Sequence, residues 1–261
     1  MVQVGGAEIH VLEKGAGPPV LFLHGNPDSG DMWSGVIDRL SDRFRCIAPD
    51  LPGFGRSGVP ANFETSLDGL ARFVGEFVSA YGLEGPIDLV MHDLGGPFGL
   101  PWAIRNPERV RHMVLTNTIF FSDYRWHPWA RVWRTPVLGE ISVALMNWPL
   151  FVREMRRGSP GLSDAHLRET YRLVTPKMKR MVLRLYRALD PAVYASWEQD
   201  LLALTARVPT CVLWGDRDPY VASRFAERYG AREVHHYERF GHWLAVEAPE
   251  EVGSRLRAFL A

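Results

Sequence analysis

The chain has 261 residues, 46% hydrophobic and 23% charged, and its 30 Lys+Arg balance 30 Asp+Glu for a formal net charge of zero at pH 7. So apolar a chain can bury enough surface to offset the entropy of ordering, which excludes disorder, and its neutral balance speaks against nucleic acid or an anionic membrane surface as the main partner. No apolar run reaches the roughly 18 residues of a membrane span, and MVQVGGAEIHVLEKG shows no basic and apolar leader, so a cytoplasmic protein is expected. Cys46 and Cys211 lie in apolar stretches; two buried free thiols are expected rather than a disulfide.

Residues Glu8 to Glu13 alternate as a half-exposed strand would. Pro19 to Leu23 is a short apolar run of the kind that suits a parallel strand buried on both faces. The breakers His24-Gly25-Asn26-Pro27 follow it. Asp31 to Leu40 predicts a helix, with Trp33, Val36, Ile37 and Leu40 on one stripe. Arg45 to Ala48 reads as the next strand, Pro49 to Gly55 as a loop, and Ser66 to Tyr81 as an amphipathic helix. Ile87 to Met91 is another buried strand; it runs through His92-Asp93-Leu94-Gly95-Gly96 into a helix ending near Arg105, and Val110 to Leu115 is the strand after that. Strands alternating with helices imply right-handed crossovers and a mostly parallel sheet. The rhythm stops near Ile119. From there to Leu202 the chain is rich in Trp, Arg and Tyr and reads as helices broken by Pro128, Pro136, Pro149, Pro160, Pro176 and Pro191. Strands return at Thr210 to Trp214 and Glu233 to Tyr237, with helices at Ala222 to Tyr229 and Pro249 to Leu260. The parse is an α/β core, residues 1–118 and 203–261, interrupted by a helical lid, residues 119–202.

In an open α/β sheet the working site lies outside the carboxyl ends of the strands. Three such ends carry chemistry-bearing residues: His24-Gly25-Asn26-Pro27, His92-Asp93-Leu94-Gly95-Gly96, and Gly215-Asp216-Arg217-Asp218 followed by Gly241-His242-Trp243. Along the chain these supply a carboxylate, a second carboxylate and a histidine, which is the nucleophile, acid, His order of the α/β-hydrolase fold. HG-x-P, the D-x-PG-x-G-x-S loop from Asp50 to Ser57, the elbow at Asp93, G-x-x-D and the late Gly-His occur in order. With them the chain resembles an α/β-hydrolase over essentially its full length.

The elbow carries Asp93 where most of that family carries Ser. The chain thereby resembles the Asp-nucleophile group of haloalkane dehalogenases, fluoroacetate dehalogenases and epoxide hydrolases. That resemblance implies an attack by Asp93 on an sp³ carbon and an alkyl-enzyme ester hydrolysed by water. His242 is then the base, and Asp218, by its place in G-x-x-D, the acid that orients it, with Asp216 the rival. The N–H groups of Asn26 and Leu94 form the oxyanion hole. His24 and His92 are expected to tie loops together.

The leaving group divides the reading. Asn26 in HGNP and Met91 fit the dehalogenase side, but Leu94 stands where haloalkane dehalogenases have Trp. Tyr124-Arg125-Trp126-His127-Pro128-Trp129 resembles the lid cluster of fluoroacetate dehalogenases, and Leu185-Tyr186-Arg187 the lid helix that carries a Tyr there and in epoxide hydrolases. Asn26, Tyr186, Trp126, His127 and Trp129 are therefore candidate halide or epoxide-oxygen ligands, with Tyr124, Tyr171 or Tyr194 as second donors. Leu94 and Pro97 replace the arginines that hold a carboxylate substrate in the fluoroacetate branch. A small neutral apolar substrate is thus expected. Arg131, Arg134, Arg153, Arg156 and Arg157 read as a solvated face. Dehalogenase is favoured, epoxide hydrolase is the alternative, and a catalytically silent ligand-binding member is a third reading. No metal cluster or dinucleotide fingerprint is seen in the spacing, so no cofactor is expected.

Overall fold

The computed structural model describes residues Met1–Ala261. Strands β1 (Val2–Val4) and β2 (Ala7–Ile9) form a small antiparallel pair. The main sheet holds β3 (Val11–Lys14), β4 (Pro19–Leu23), β5 (Arg45–Pro49), β6 (Ile87–His92), β7 (Val110–Thr116), β8 (Thr210–Gly215) and β9 (Glu233–Tyr237). Its order is β3-β5-β4-β6-β7-β8-β9, and only β3 runs antiparallel to its neighbour. The apolar runs are the central strands. Every residue of β6 is buried, and Leu89 pairs with Leu21 on one side and Met113 on the other. Parallel pairing puts the carboxyl ends of β4, β6, β7 and β8 along one edge, so the loops after Leu23, His92, Thr116 and Gly215 converge there.

Two apolar layers sandwich the sheet. One contains Phe73, Phe77 and Phe98 from the helices Leu67–Ala80 and Gly95–Arg105. The other contains Trp33, Val36, Val252 and Leu256, from the segment after β4 and the helix Pro249–Phe259. Ser66 caps the first helix by accepting from Gly69 N at 3.2 Å.

Three local readings change. The strand expected over Glu8 to Glu13 is cut at His10, because its N–H donates to Ser57 Oγ (2.9 Å) and its carbonyl accepts from Asp50 N (2.9 Å). Those bonds take His10 out of both ladders. The helix expected over Asp31 to Leu40 is a 3₁₀ turn, Gly30–Trp33, and one short α turn, Ser34–Ile37. Ala222 to Tyr229 forms two 3₁₀ turns, Ser223–Phe225 and Glu227–Tyr229, ended by Gly230 at φ 63°.

No strand lies between Thr116 and Thr210. The helices there are Pro128–Arg134, Leu138–Ala144, Trp148–Gly158, Asp164–Arg172, Pro176–Ala188 and Glu198–Arg207. Four of the prolines read as breakers open elements instead. Pro128, Pro149, Pro176 and Pro191 sit in first turns, where the missing N–H costs nothing. His127, Asn147, Thr175 and Asp190 cap them with side-chain acceptors. Arg134 does not join a solvated face; it donates to Tyr186 O and to Asp190.

Both cysteines are free and buried, and burial pushes each thiol up to about 12. The β8–β9 register also brings ligand atoms of Cys211, Glu233 and His235 within 4.8 Å of one another, a grouping of metal-capable side chains that their sequence spacing did not suggest.

The helical segment is fastened to the sheet beside the HGNP loop. Asp28, 2% exposed, lies 3.3 Å from His166 Nε2 and accepts from Thr170 Oγ1 at 2.9 Å. Burial alone would raise Asp28, but the His166 charge and the bonds from His166 and Thr170 hold it below the usual carboxylate value. Burial likewise lowers His166, and the Asp28 carboxylate reverses this and raises it. A depressed Asp stabilises above its unfolded value of 3.8 and a raised His below its unfolded value of 6.5. The pair is thus fully formed between those values and is lost as pH rises through the raised His166 pKa. His166→Ala should lower the melting temperature more at pH 5.5 than at pH 8.5, read by scanning calorimetry. An equal loss at both would remove the ion pair from this description.

Candidate active site

Asp93 stands at the turn between β6 and the helix Gly95–Arg105, with φ 47°. A non-glycine residue at positive φ is strained and persists only where its surroundings fix it. Here they do. Thr118 Oγ1 donates to the Asp93 carbonyl at 2.6 Å. A Cβ on Gly25 would sit 2.4 Å from Asp93 Cβ, so only glycine lets the HGNP loop come this close. Asn26 N donates to Asp93 Oδ2 at 2.8 Å, and the Leu94 N–H also bonds the carboxylate. Burial is the largest influence on Asp93 and leaves it raised, against the pull of His242 and of these two donors.

His242 follows the loop after β9. Its Nδ1 lies 2.7 Å from Asp218 Oδ2, with both side chains nearly inaccessible. Asp218 is held by three more donors: Tyr220 N (2.7 Å) and Val221 N (3.1 Å) to Oδ1, and Asn117 Nδ2 (2.9 Å) to Oδ2. Burial would lower His242, but the Asp218 charge and hydrogen bond, followed by the Asp93 charge, raise it. Asp216 faces away and pairs with His236 Nδ1 at 2.6 Å. His24 is spent on two loops, meeting Gly25 O (2.8 Å) through Nδ1 and accepting from Leu51 N (2.8 Å) at Nε2. His92, its ring centroid 4.7 Å from that of His242, is driven far down by burial and by His242.

Asp93 and His242 open on a cavity of about 100 Å³ whose lining is mostly apolar. Asn26, Trp126, His127, Trp129 and Tyr186 line it together. Leu94 is fully buried, and Asp218 lies behind His242. The amide of Asn26 reaches Tyr186 Oη at 3.4 Å. The indole N–H groups of Trp126 and Trp133 are buried without a partner, their rings 4.8 and 4.9 Å from that of Tyr186. His127 is held neutral, pushed down to about 3 by burial, and its Nδ1 accepts from Ala130 N (3.3 Å), which leaves the ring hydrogen on Nε2. Burial first, and Asp93 second, push the Tyr186 phenol far above its ordinary value.

The other tyrosines offer the cavity no free hydroxyl, and the unpartnered Tyr194 Oη lies away from it. Tyr124 Oη donates to Tyr220 O (3.1 Å), and Tyr220 Oη to Glu154 O (2.9 Å). Tyr171 packs on Trp148 and Phe151, and Tyr194 on Phe120, outside the cavity lining. Trp133 and Asn117 went unnoticed in the sequence. Trp133 had a signal, since it lies four residues after Trp129, about one helical turn on. Asn117 had none, because its partners are 98 and 101 residues away.

A family model described as alpha/beta hydrolase fold matches residues 18–249. Haloalkane dehalogenase 2 of Mycobacterium tuberculosis is 29% identical over 260 residues, 95% of this chain and 90% of that protein. The cis-3-alkyl-4-alkyloxetan-2-one decarboxylase of Xanthomonas campestris is 28% identical over 290 residues, 98% of this chain and 93% of that protein. Among solved structures, a haloalkane dehalogenase loop variant from Bradyrhizobium elkanii superposes with TM-score 0.83 at 26% identity, covering 98% of this chain and 93% of that one. An epoxide hydrolase shares the fold, with TM-score 0.79 at 21% identity over 98% of this chain and 96% of that one. The chain belongs to the α/β-hydrolase fold family of enzymes, in the group that includes the haloalkane dehalogenases.

Proposed function

We propose that the protein hydrolyses a carbon–halogen bond at an sp³ carbon through an ester of Asp93. The observation that carries this is a buried carboxylate, gripped by two backbone N–H groups, facing a mostly apolar cavity lined by three tryptophans, Trp126, Trp133 and Trp243, whose indole N–H groups have no partner. An Asp93 oxygen attacks the carbon, and the carbon–halogen bond breaks with its electron pair leaving on the halide. Trp126, Trp133, the Asn26 amide and the Tyr186 hydroxyl are the donors that solvate the halide. His242 then takes a proton from water, and the hydroxide adds to Asp93 Cγ. The N–H groups of Asn26 and Leu94 hold the resulting oxyanion. Collapse expels the alkoxide, which takes the proton from His242, and leaves Asp93 as a carboxylic acid, whose proton passes to solvent to restore the carboxylate. The helices between Thr116 and Thr210 act as a lid that keeps bulk water out. The wall around the reacting carbon suits a neutral haloalkyl group.

Epoxide opening is the second reading, favoured by the Tyr186 hydroxyl beside Asn26. It asks more of Tyr186, which must give a proton to the alkoxide although its surroundings raise its pKa, and the Tyr124 and Tyr220 hydroxyls are already committed. The discriminating experiment measures Asn26→Ala and Tyr186→Phe on bromoalkanes and on a styrene-type epoxide, with a dialkyl oxetan-2-one as a third substrate. For a dehalogenase, Asn26→Ala should cost roughly 10–100-fold in bromide release, the loss of one charge-assisted hydrogen bond, and the epoxide should yield no diol. Diol formation with a severe Tyr186→Phe loss and a mild Asn26→Ala loss would give the site to epoxides.

The triad makes a separate prediction. His242→Gln should leave alkylation intact and stall hydrolysis, so intact mass should report a substrate adduct on the peptide holding Asp93. Asp218→Asn should cost on the order of 10³-fold or more, because Asn favours the wrong imidazole tautomer and cannot stabilise the imidazolium, whereas Asp216→Asn should cost far less. The pH profile carries the same logic. His242 must be neutral to act as base and its pKa is raised, so turnover should fall as pH drops through a midpoint above 6.5. In Asp218→Asn that midpoint should move down. Full turnover by His242→Gln, or the reverse ranking of the two Asn variants, would contradict these roles.

A further inference from the structure

One cation on the cavity wall has no partner. Lys179 lines the cavity and is half-buried, yet makes no hydrogen bond or ion pair. Every other charged group there is committed. Asp93 takes the loop N–H groups, His242 pairs with Asp218, and Glu154 Oε1 accepts from Tyr220 Oη (3.2 Å) and Arg157 (3.1 Å). The Lys179 ammonium is the one charged group of the lining left open to a ligand.

Its position along the helix Pro176–Ala188 is informative. Met178, Lys179, Val182 and Tyr186 form the stripe that faces the cavity, at helical spacing. Tyr186 touches Asn26 at the nucleophile end. Lys179 is seven residues earlier, about 10 Å along the axis at 1.5 Å per residue. Val182 and Met178 keep the wall between them apolar.

We propose that Lys179 binds the anionic end of an extended substrate whose other end carries the carbon attacked by Asp93. This rests on the reading that Asp93 attacks within this cavity, and it refines the substrate class to a haloalkyl chain with a carboxylate, sulfonate or phosphate several bonds from the halogen. It agrees with the absence of arginines after the nucleophile. A short haloacid would hold its charge beside the Asp93 carboxylate and be repelled, whereas a long one reaches Lys179.

Binding tests this without turnover. Hexanoate and hexanamide, alike in shape and different in charge, are titrated by calorimetry against the wild type, Lys179→Met, Lys179→Gln and Lys179→Arg. The wild type should bind hexanoate about tenfold or more tightly than hexanamide, as a charge-assisted hydrogen bond requires. The Met and Gln variants should lose that preference with hexanamide unchanged, and Arg should keep it. Equal binding of the two ligands by the wild type, or a preference that survives in Lys179→Met, would overturn the proposal. In parallel, 6-bromohexanoate, bromoacetate and 1-bromohexane are assayed for bromide release. Lys179→Met should raise KM for 6-bromohexanoate alone, and an equal effect on 1-bromohexane would also overturn it. If the wild type releases bromide from none of them while still preferring hexanoate, the halide reading fails and the anion subsite stands.

Discussion

The structure turns on a carboxylate placed where charge is expensive. Asp93 is buried at a strained turn, and burial works against its ionised form. Two backbone N–H groups and His242 work against that penalty without filling the space in front of the carboxylate. Each support needs a distant part of the chain at short range. The HGNP loop must approach closely enough that only glycine fits at position 25, and β7 and β8 must lie side by side so that Asn117 can bridge Gly215 and Asp218. The parallel sheet meets these needs because its strand ends share one edge.

The same geometry divides labour between the sheet and the inserted helices. The strand ends carry Asp93, Asp218 and the loop N–H groups, and backbone donors hold both carboxylates. The helices supply most of the cavity wall, including Trp133, Met155, Val182 and Tyr186. Their residues meet the cavity by way of capping and packing: His127 is a helix cap, Tyr186 sits between two indole rings, and Arg134 ties the Tyr186 carbonyl to Asp190. A carboxylate at the elbow is thus compatible with several electrophiles, and the choice among them falls to donors on the helices.

How much was legible follows from the range of the interactions. Buried strands announced themselves as short apolar runs, and the resemblance of the motifs at their ends singled out Asp93, His242 and, through G-x-x-D, Asp218 over its rival Asp216. The break at His10 was invisible because its cause, the Ser57 hydroxyl, lies 47 residues away. The prolines of the inserted segment were visible, but whether a proline ends or opens a helix depends on the cap before it, and His127 is an unusual cap. The aromatic residues were the least legible. Tyr124, Tyr171, Tyr186 and Tyr194 look alike in a helical, Trp-rich segment, and only packing decides that one hydroxyl is free while others serve carbonyls or lie outside the cavity.

Whether water attacks an Asp93 ester or the substrate itself can be tested in one turnover. Enzyme in excess is mixed with a bromoalkane in water enriched in oxygen-18, and both the alcohol and the digested protein are weighed by mass spectrometry. If Asp93 is the nucleophile, the first alcohol carries oxygen-16 taken from its carboxylate, and the heavy isotope appears in the peptide containing Asp93. Oxygen-18 in the first alcohol with an unlabelled Asp93 peptide would mean that water attacks carbon directly, and the account given of this site would be wrong.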